Sequence, residues 1–431
     1  MCSVILICDL NVFVFELIKG EGDNSMKVWK FIVILFVTVL MMSACNSGSN
    51  NEKETNEGKE SSNKSKKHTY SDVDYPKDGV KGIYVTPDSA KGENFEELIQ
   101  FINETELNAM VIDVKDDEGN ITMDFKSDNK LISSNTVNRV DVKKVIKAME
   151  KNNIYPIARI VTFKDSRLSE EKPDWSFKTS DGNVWESEGG DSFLNPFNDK
   201  VWKYNIAVAK EAAKAGFKEV QFDYVRFPEG FENKDKSLQY SNGKYKNSDL
   251  NHVEQRVDTI TNFLKTARKD LKSYDVQTSA DVFGYAATVK ETPGIGQSFP
   301  KIAKNVDVIS SMIYPSHWSP GDFGLEAPDT EPYKTVDRYL DKEKEALQGI
   351  DPKKVKSRPW LQDFTASYLG EGQYKSYDKA EVTAQVQALK DHNIHEFLLW
   401  DASADYTKGA DYNPSKYTNP DAQKPENAKS N

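Results

Sequence analysis

Asp223 and Arg226 sit at the end of a strand-like stretch, Glu219-Val220-Gln221-Phe222-Asp223-Tyr224-Val225-Arg226-Phe227-Pro228. Val220, Phe222 and Tyr224 alternate with Gln221, Asp223 and Val225, so the apolar set suits a helix-covered face and the other set faces away from it. Burying an unpaired carboxylate is costly. Asp223 is therefore either ion-paired, with Arg226 or with an Arg of a neighbouring strand, or placed at the mouth of a cavity. The same alternation applied to the other strand-like stretches turns more polar and aromatic groups the same way. These are Asp113 and Lys115, Arg159, Ser279 and Asp281, Tyr314 followed by His317 and Trp318, and Trp360 and Gln362. Trp400-Asp401 ends the last stretch, and alternation does not decide which of the two faces inward. Each has a plain structural alternative: Asp113 with Lys115 or Arg159 with Asp223 as register-holding ion pairs, the aromatics as core plugs, Asp401 as a turn cap. Their recurrence at the C-terminal ends of the strands, more than at the N-terminal ends, favours a common functional mouth. A long loop carries Pro173-Asp174-Trp175-Ser176-Phe177, Asp181-Gly182-Asn183-Val184-Trp185 and Gly189-Gly190-Asp191-Ser192-Phe193-Leu194-Asn195-Pro196. Flat rings such as Trp185 among carboxylates and amides suit a sugar, with its apolar faces and hydroxyl edges; a self-packed lid is the other reading.

The elements that must position these residues alternate in type. Strand patterns fall at about 82–87, 109–116, 155–163, 219–228, 276–285, 306–314, 357–364 and 396–400. Helical spacing of apolar residues falls between them, at Phe95/Leu98/Ile99/Ile102, at 141–152, at 199–215 up to Gly216, at 251–272, near Ile302, at 333–347 and at 379–391. Eight such units imply an α/β fold, a (β/α)8 barrel with long βα loops, in which chemistry gathers at the C-terminal strand ends. An open doubly wound sheet is the alternative. Its usual Gly-rich phosphate turn is missing after the first strand, where Thr86-Pro87-Asp88 stands instead.

The chain has 431 residues and a net charge of −11, which argues against a nucleic-acid partner, and no phosphate-neutralising basic patch is evident along it. Its three cysteines, Cys2, Cys8 and Cys45, are all N-terminal, and its five histidines are scattered. Neither a disulfide, a metal site nor a cofactor is expected in the folded part.

The N-terminus reads as a targeting segment. A basic start at Met26-Lys27-Val28-Trp29-Lys30 precedes an apolar run from Phe31 to Met42 and then Ser43-Ala44-Cys45. Cys45 after a small pair resembles the lipidated Cys of a bacterial lipoprotein. Residues 1–25 then read as spurious upstream translation, 26–45 as signal, 46–79 as a disordered tether, 80–412 as the barrel and 413–431 as a disordered tail. An exported, membrane-anchored location at the bacterial cell surface follows as the expectation, and oligomeric state is left open.

Lys81-Gly82-Ile83-Tyr84-Val85-Thr86, Val111-Ile112-Asp113-Val114-Lys115-Asp116, Phe222-Asp223-Tyr224-Val225-Arg226-Phe227-Pro228 and Ser279-Ala280-Asp281-Val282-Phe283-Gly284 together resemble the bacterial putative glycoside hydrolase domain family, over about residues 81–406. The resemblance implies a TIM barrel related to α-amylase- and α-galactosidase-type enzymes, acting on a carbohydrate. It places Asp223 as a strand-four carboxylate nucleophile and Asp281 as the nearest match to the acid/base, where related enzymes often have Glu or use strand six. Hydrolysis of a glycosidic bond uses two flanking carboxyl groups, one donating a proton and one acting as nucleophile or base. On this reading Asp223 is the ionised partner, held low by Arg159 or Arg226, and Asp281 is an acid raised by burial. Asp113 or Asp401 would bind hydroxyls or replace Asp281. A degenerate barrel that grips glycan without cleaving it is the competing expectation. A deacetylase is a weaker one, set back by the few histidines.

Overall fold

The computed structural model describes residues 73–414. The expected upstream segment, the signal with Cys45, the tether up to residue 72 and the tail from 415 lie outside the described residues.

Eleven strands form one sheet. They are β1 (Lys81–Val85), β2 (Ala109–Lys115), β3 (Ile121–Met123), β4 (Thr136–Val140), β5 (Tyr155–Val161), β6 (Glu219–Asp223), β7 (Gln277–Phe283), β8 (Val308–Met312), β9 (Lys356–Ser357), β10 (Trp360–Gln362) and β11 (Phe397–Trp400). The ring β1-β2-β5-β6-β7-β8-β10-β11 pairs in parallel throughout, and β11 returns to β1, so the sheet closes into a barrel. The helices are α1 (Gly92–Asn103), α2 (Lys130–Asn135), α3 (Val142–Lys151), α4 (Ser166–Glu171), α5 (Asp199–Ala215), α6 (Phe231–Lys234), α7 (His252–Leu271), α8 (Phe299–Ala303), α9 (Pro332–Ala346) and α10 (Lys379–Asp391). Local chemistry sets their ends. Asn251 and Glu254 form a reciprocal capping box at the start of α7, and Gly216, at φ 119°, ends α5 in the left-handed region that glycine tolerates.

Three features depart from the pattern read along the chain. The seventh strand is divided by Pro359, which has no N–H for the ladder, into β9 and β10, both against β8. After β2, the chain adds β3, antiparallel to β2, and β4 beside it. Residues 73–79, tether by composition, are part of the fold: Val73 is buried, and Tyr75 stacks edge-on with Tyr155 at 5.3 Å.

The barrel interior is layered. Val111, Ile157 and Leu398 fill its middle, and Tyr155, Val80 and Val73 lie towards the end where the chain enters. At that N-terminal end a buried charge cluster closes the barrel. Arg358 donates to Glu219 at 2.8 and 2.9 Å, to Glu396 at 2.9 Å and to the Tyr75 hydroxyl at 3.0 Å. Polar strand ends are therefore not confined to the mouth. Two charges can be buried here because each is paired and hydrogen-bonded.

Candidate active site

β2, β5 and β6 bring their inward carboxylates and guanidinium together at the C-terminal end. Arg159 donates to Asp223 Oδ2 from Nε at 2.9 Å and from a terminal nitrogen at 2.6 Å, and to Asp113 Oδ1 at 2.7 Å. Asp117, one residue past Asp116 in the loop after β2, accepts a longer bond of 3.3 Å. The Tyr84 hydroxyl donates to the other oxygen of Asp113 at 2.7 Å. Burial works against the Arg159 charge, yet Asp113, Asp117 and Asp223 outweigh it and hold the guanidinium protonated well above its ordinary range. Its flat faces lie 5.6 and 5.4 Å from the Tyr84 and Trp400 rings, which stack on each other at 4.2 Å.

β6 ends at Asp223 because the chain turns there. Tyr224 has φ 45°, a strained left-handed conformation for a bulky residue. Its amide N–H is thereby aimed back at Asp223 Oδ1, 2.6 Å away. The turn also ends the alternation: Tyr224 lines the cavity and Val225 joins the outer core. Arg226 does not pair with Asp223. It bonds Glu229 at 3.1 Å and lies between the Tyr224 and Phe283 rings, at 4.5 and 4.6 Å.

Asp281 stands on β7, one step past the paired positions Phe222 and Ala280, as Asp223 does on β6. It is 2 % exposed, and its Oδ1 accepts the Trp360 indole N–H at 2.8 Å. Burial pushes its carboxyl well above the usual range, the Asp223 charge pushes further, and the Trp360 N–H draws it partly back. Tyr314, 5 % exposed, is raised by burial and then by the charges of Asp281 and Asp223. Burial lowers His317. Trp360→Phe should remove the indole donor to Asp281, raise its pKa and move the alkaline limb of any rate profile that depends on it to higher pH; a shift to lower pH would contradict this assignment.

The cavity above these groups is about 800 Å³. Asp223, Asp281, Arg159, Arg226, Tyr314, His317, Trp318, Trp360 and Trp400 all line it. For the last strand this settles which residue faces inward: it is Trp400. Asp401 instead accepts the Ser403 and Asp405 amides at 2.7 and 3.3 Å, capping the turn that follows.

Four other expected site residues lie outside this lining. A bulge between Asp113 and Lys115 shifts the register, so Lys115 pairs with Ile160 and turns towards the helices. There it is fully buried against Asp165 at 2.7 Å and the Val161 carbonyl at 2.7 Å. Asp113 sits beneath the cavity as the second anchor of Arg159. Gln362 joins the loops after the sixth and seventh strands through the Ser316 amide, Asp329 and the Phe364 carbonyl. Trp185 packs with Phe193 in the outer core, as a loop folded on itself. The lining also includes Phe283, at the end of β7 two residues past Asp281, and Asp117, Tyr224, Glu229, Glu232, Tyr285 and Asp322, which lie past the strand ends, where alternation has no force. Two of these carried a positional hint: Phe283, which shares the parity of Ser279 and Asp281, and Glu229, directly after the Phe-Pro that ends the strand-four motif. Among the described residues no three His, Cys, Asp or Glu side chains are grouped to hold a metal ion.

Asp113 and Asp363 are both raised to about 6, each mainly by burial, against an ordinary value of 3.8. The folded chain thus holds more protons than the unfolded chain between about pH 4 and pH 6. The stability these groups contribute is complete below that window and is lost as pH rises through it. The limit is about 3 kcal/mol for each group. Thermal melts should give a higher Tm at pH 5 than at pH 7, and Asp363→Asn should flatten the difference. A Tm that rises from pH 5 to pH 7, with the Asp363→Asn slope unchanged, would contradict this.

A closed (β/α)8 barrel whose mouth carries an ion-paired aspartate and a buried one raised by that burial, between indole walls, is a barrel of the glycosidase class. The family described as "Putative glycosyl hydrolase domain" matches residues 82–406, and the chain belongs to it. No curated protein matches the chain. Among solved structures, the PgaB (BpsB) glycoside hydrolase domain from Bordetella bronchiseptica is similar over 76% of this chain and 95% of that one, with TM-score 0.54 and 13% identity, a likeness of fold. A hypothetical protein from Ruminiclostridium thermocellum is 33% identical, covering 46% of this chain and 97% of that one, with TM-score 0.40. A β-galactosidase from Marinomonas ef1 is 10% identical over 74% of this chain and 54% of that one, with TM-score 0.48.

Proposed function

We propose that the barrel hydrolyses glycosidic bonds of a poly- or oligosaccharide, with Asp281 as acid/base and Asp223 as the carboxylate nucleophile. The observation that carries this is the split environment of two neighbouring carboxyl groups. Arg159 and the Tyr224 amide donate hydrogen bonds to Asp223, while burial pushes the Asp281 carboxyl well above its ordinary range. A buried carboxyl raised in this way suits the proton donor, and one facing a guanidinium suits the nucleophile. Asp223 and Asp281 occupy equivalent positions on adjacent strands, whose backbones stand about 5 Å apart. Retaining enzymes use carboxyl groups about 5–5.5 Å apart. In the first step Asp281 would protonate the leaving oxygen as Asp223 attacks the anomeric carbon. In the second, Asp281 would take a proton from water as the ester to Asp223 is cleaved. Trp360, Trp400 and Tyr314 offer ring faces to the sugar. Nuclear magnetic resonance of the first-formed product should show the anomer of the starting bond; the opposite anomer would exclude Asp223 as nucleophile.

Both carboxyl groups are nearly buried, at 6 % and 2 % exposed, and this favours one second reading, a barrel that grips glycan between its indoles without cleaving it. Binding without product from any glycan would select it. In either case, the apolar run before Cys45 supports export and a lipid anchor on that cysteine at the bacterial cell surface. Cys45→Ala should release the protein from membranes; retention on membranes would reject the anchor.

A further inference from the structure

The face opposite the mouth carries a second concavity, about 680 Å³, whose charge runs against that of the whole chain. Lys265, Lys269 and Lys272 reach it from the C-terminal half of α7 and the turn after it, and Lys353 and Lys354 from the loop leading into β9. All five are exposed, and none makes a salt bridge with a described residue. Arg268 and Lys356 add to the rim but are paired, with Asp307 at 2.5 Å and Glu396 at 3.4 Å. Cations near a helix C-terminus are favoured by the helix dipole, which accounts for part of the α7 group. It does not account for Lys353 and Lys354, which a different segment brings to the same hollow. Like charges left together at a surface repel one another and are relieved by an anionic partner.

The occupant is indicated by where the chain enters. Lys356 lines this hollow and lies 3.3 Å above the ring of Tyr75, in the segment that leads into the barrel. The 72 residues before the described ones include the apolar run from Phe31 to Met42 and Cys45. An anchor there would bring this end of the barrel to the bilayer.

We propose that this basic hollow docks on the anionic phosphate headgroups of the membrane, so that the barrel rests on its N-terminal face with the catalytic mouth turned outward towards glycan. The anchoring reading supplies the reason a bilayer is near. The docking itself is independent of the anchor and of hydrolysis. Residues 67–431, which include the closed barrel and its core, lack the anchor and suit the test.

This unit should co-sediment with phosphatidylglycerol-containing vesicles at low salt. It should not do so with pure phosphatidylcholine vesicles, nor at high salt, where exposed charges are screened. Lys269→Glu, Lys272→Glu, Lys353→Glu and Lys354→Glu together should weaken binding by at least about a hundredfold. The corresponding four Gln substitutions, gentler on the fold, should weaken it by about tenfold or more. Turnover on a soluble glycan should be unchanged in both. Absence of binding to anionic vesicles would overturn the proposal. So would binding that survives the substitutions in a folded protein, or capture of soluble inorganic polyphosphate with no affinity for vesicles.

Discussion

Asp281→Asn should cut turnover by about 10²–10⁴-fold, the range associated with losing a general acid, while the melting curve stays within the usual spread of a near-isosteric change. The expectation follows from geometry. Asp281 is the buried carboxyl group that faces the cavity, receives the Trp360 N–H and feels the Asp223 charge. Asn keeps an oxygen for the indole but cannot deliver a proton. Asp223→Asn should cost orders of magnitude as well, for another reason: the amide keeps the shape but loses both the proposed nucleophile and the charge opposite Arg159. The two variants separate by substrate. A glycoside whose leaving group needs no protonation should recover most of its first-step rate in Asp281→Asn and none in Asp223→Asn. Wild-type-like turnover in either variant would remove that residue from the mechanism.

Arg358→Met should be the most destabilising single change in the barrel, at about 3–5 kcal/mol, because it leaves a carboxylate buried without its partner. Arg358 and Glu219 are both fully buried, at the end away from the mouth. Adding Glu219→Gln removes the stranded charge and should recover most of the loss. Activity per folded molecule should be unchanged in both proteins, since neither residue lines the cavity at the mouth. Denaturant unfolding measures the first effect, and active-site-normalised rates the second. A loss below about 1 kcal/mol, or a double variant no better than the single one, would show that the cluster does not close the barrel in the way described.

The barrel was legible because its signal is repetitive: eight stretches of two-residue spacing alternate with seven of helical spacing, and no other architecture accommodates that so simply. The inward positions of Asp113, Arg159, Asp223, Asp281 and Trp360 followed from the same alternation, since these residues lie inside regular strands. Alternation failed where the backbone departs from it. The bulge beside Asp113 turned Lys115 outward, the left-handed Tyr224 ended β6 early, and Pro359 split the seventh strand. Residues set by loop geometry were out of reach for the same reason, so Asp117, Glu232 and Asp322 could not be seen, and Trp185 could be placed equally in the mouth or in a packed lid. The partner of Asp223 was open between two arginines, because only the fold decides that Arg159 reaches across from β5 while Arg226 stacks between two rings. The basic hollow is a further case: its lysines come from two segments about 80 positions apart in a chain that is acidic overall.

The most direct measurement is release of new reducing ends over time from a glycan panel, with the unit 67–431 and its Asp281→Asn variant run side by side. The account predicts product from at least one glycan with the native protein, and about a hundredth of that rate or less with the variant. Glycan binding with no product from any member of the panel, or equal release by the two proteins, would contradict it.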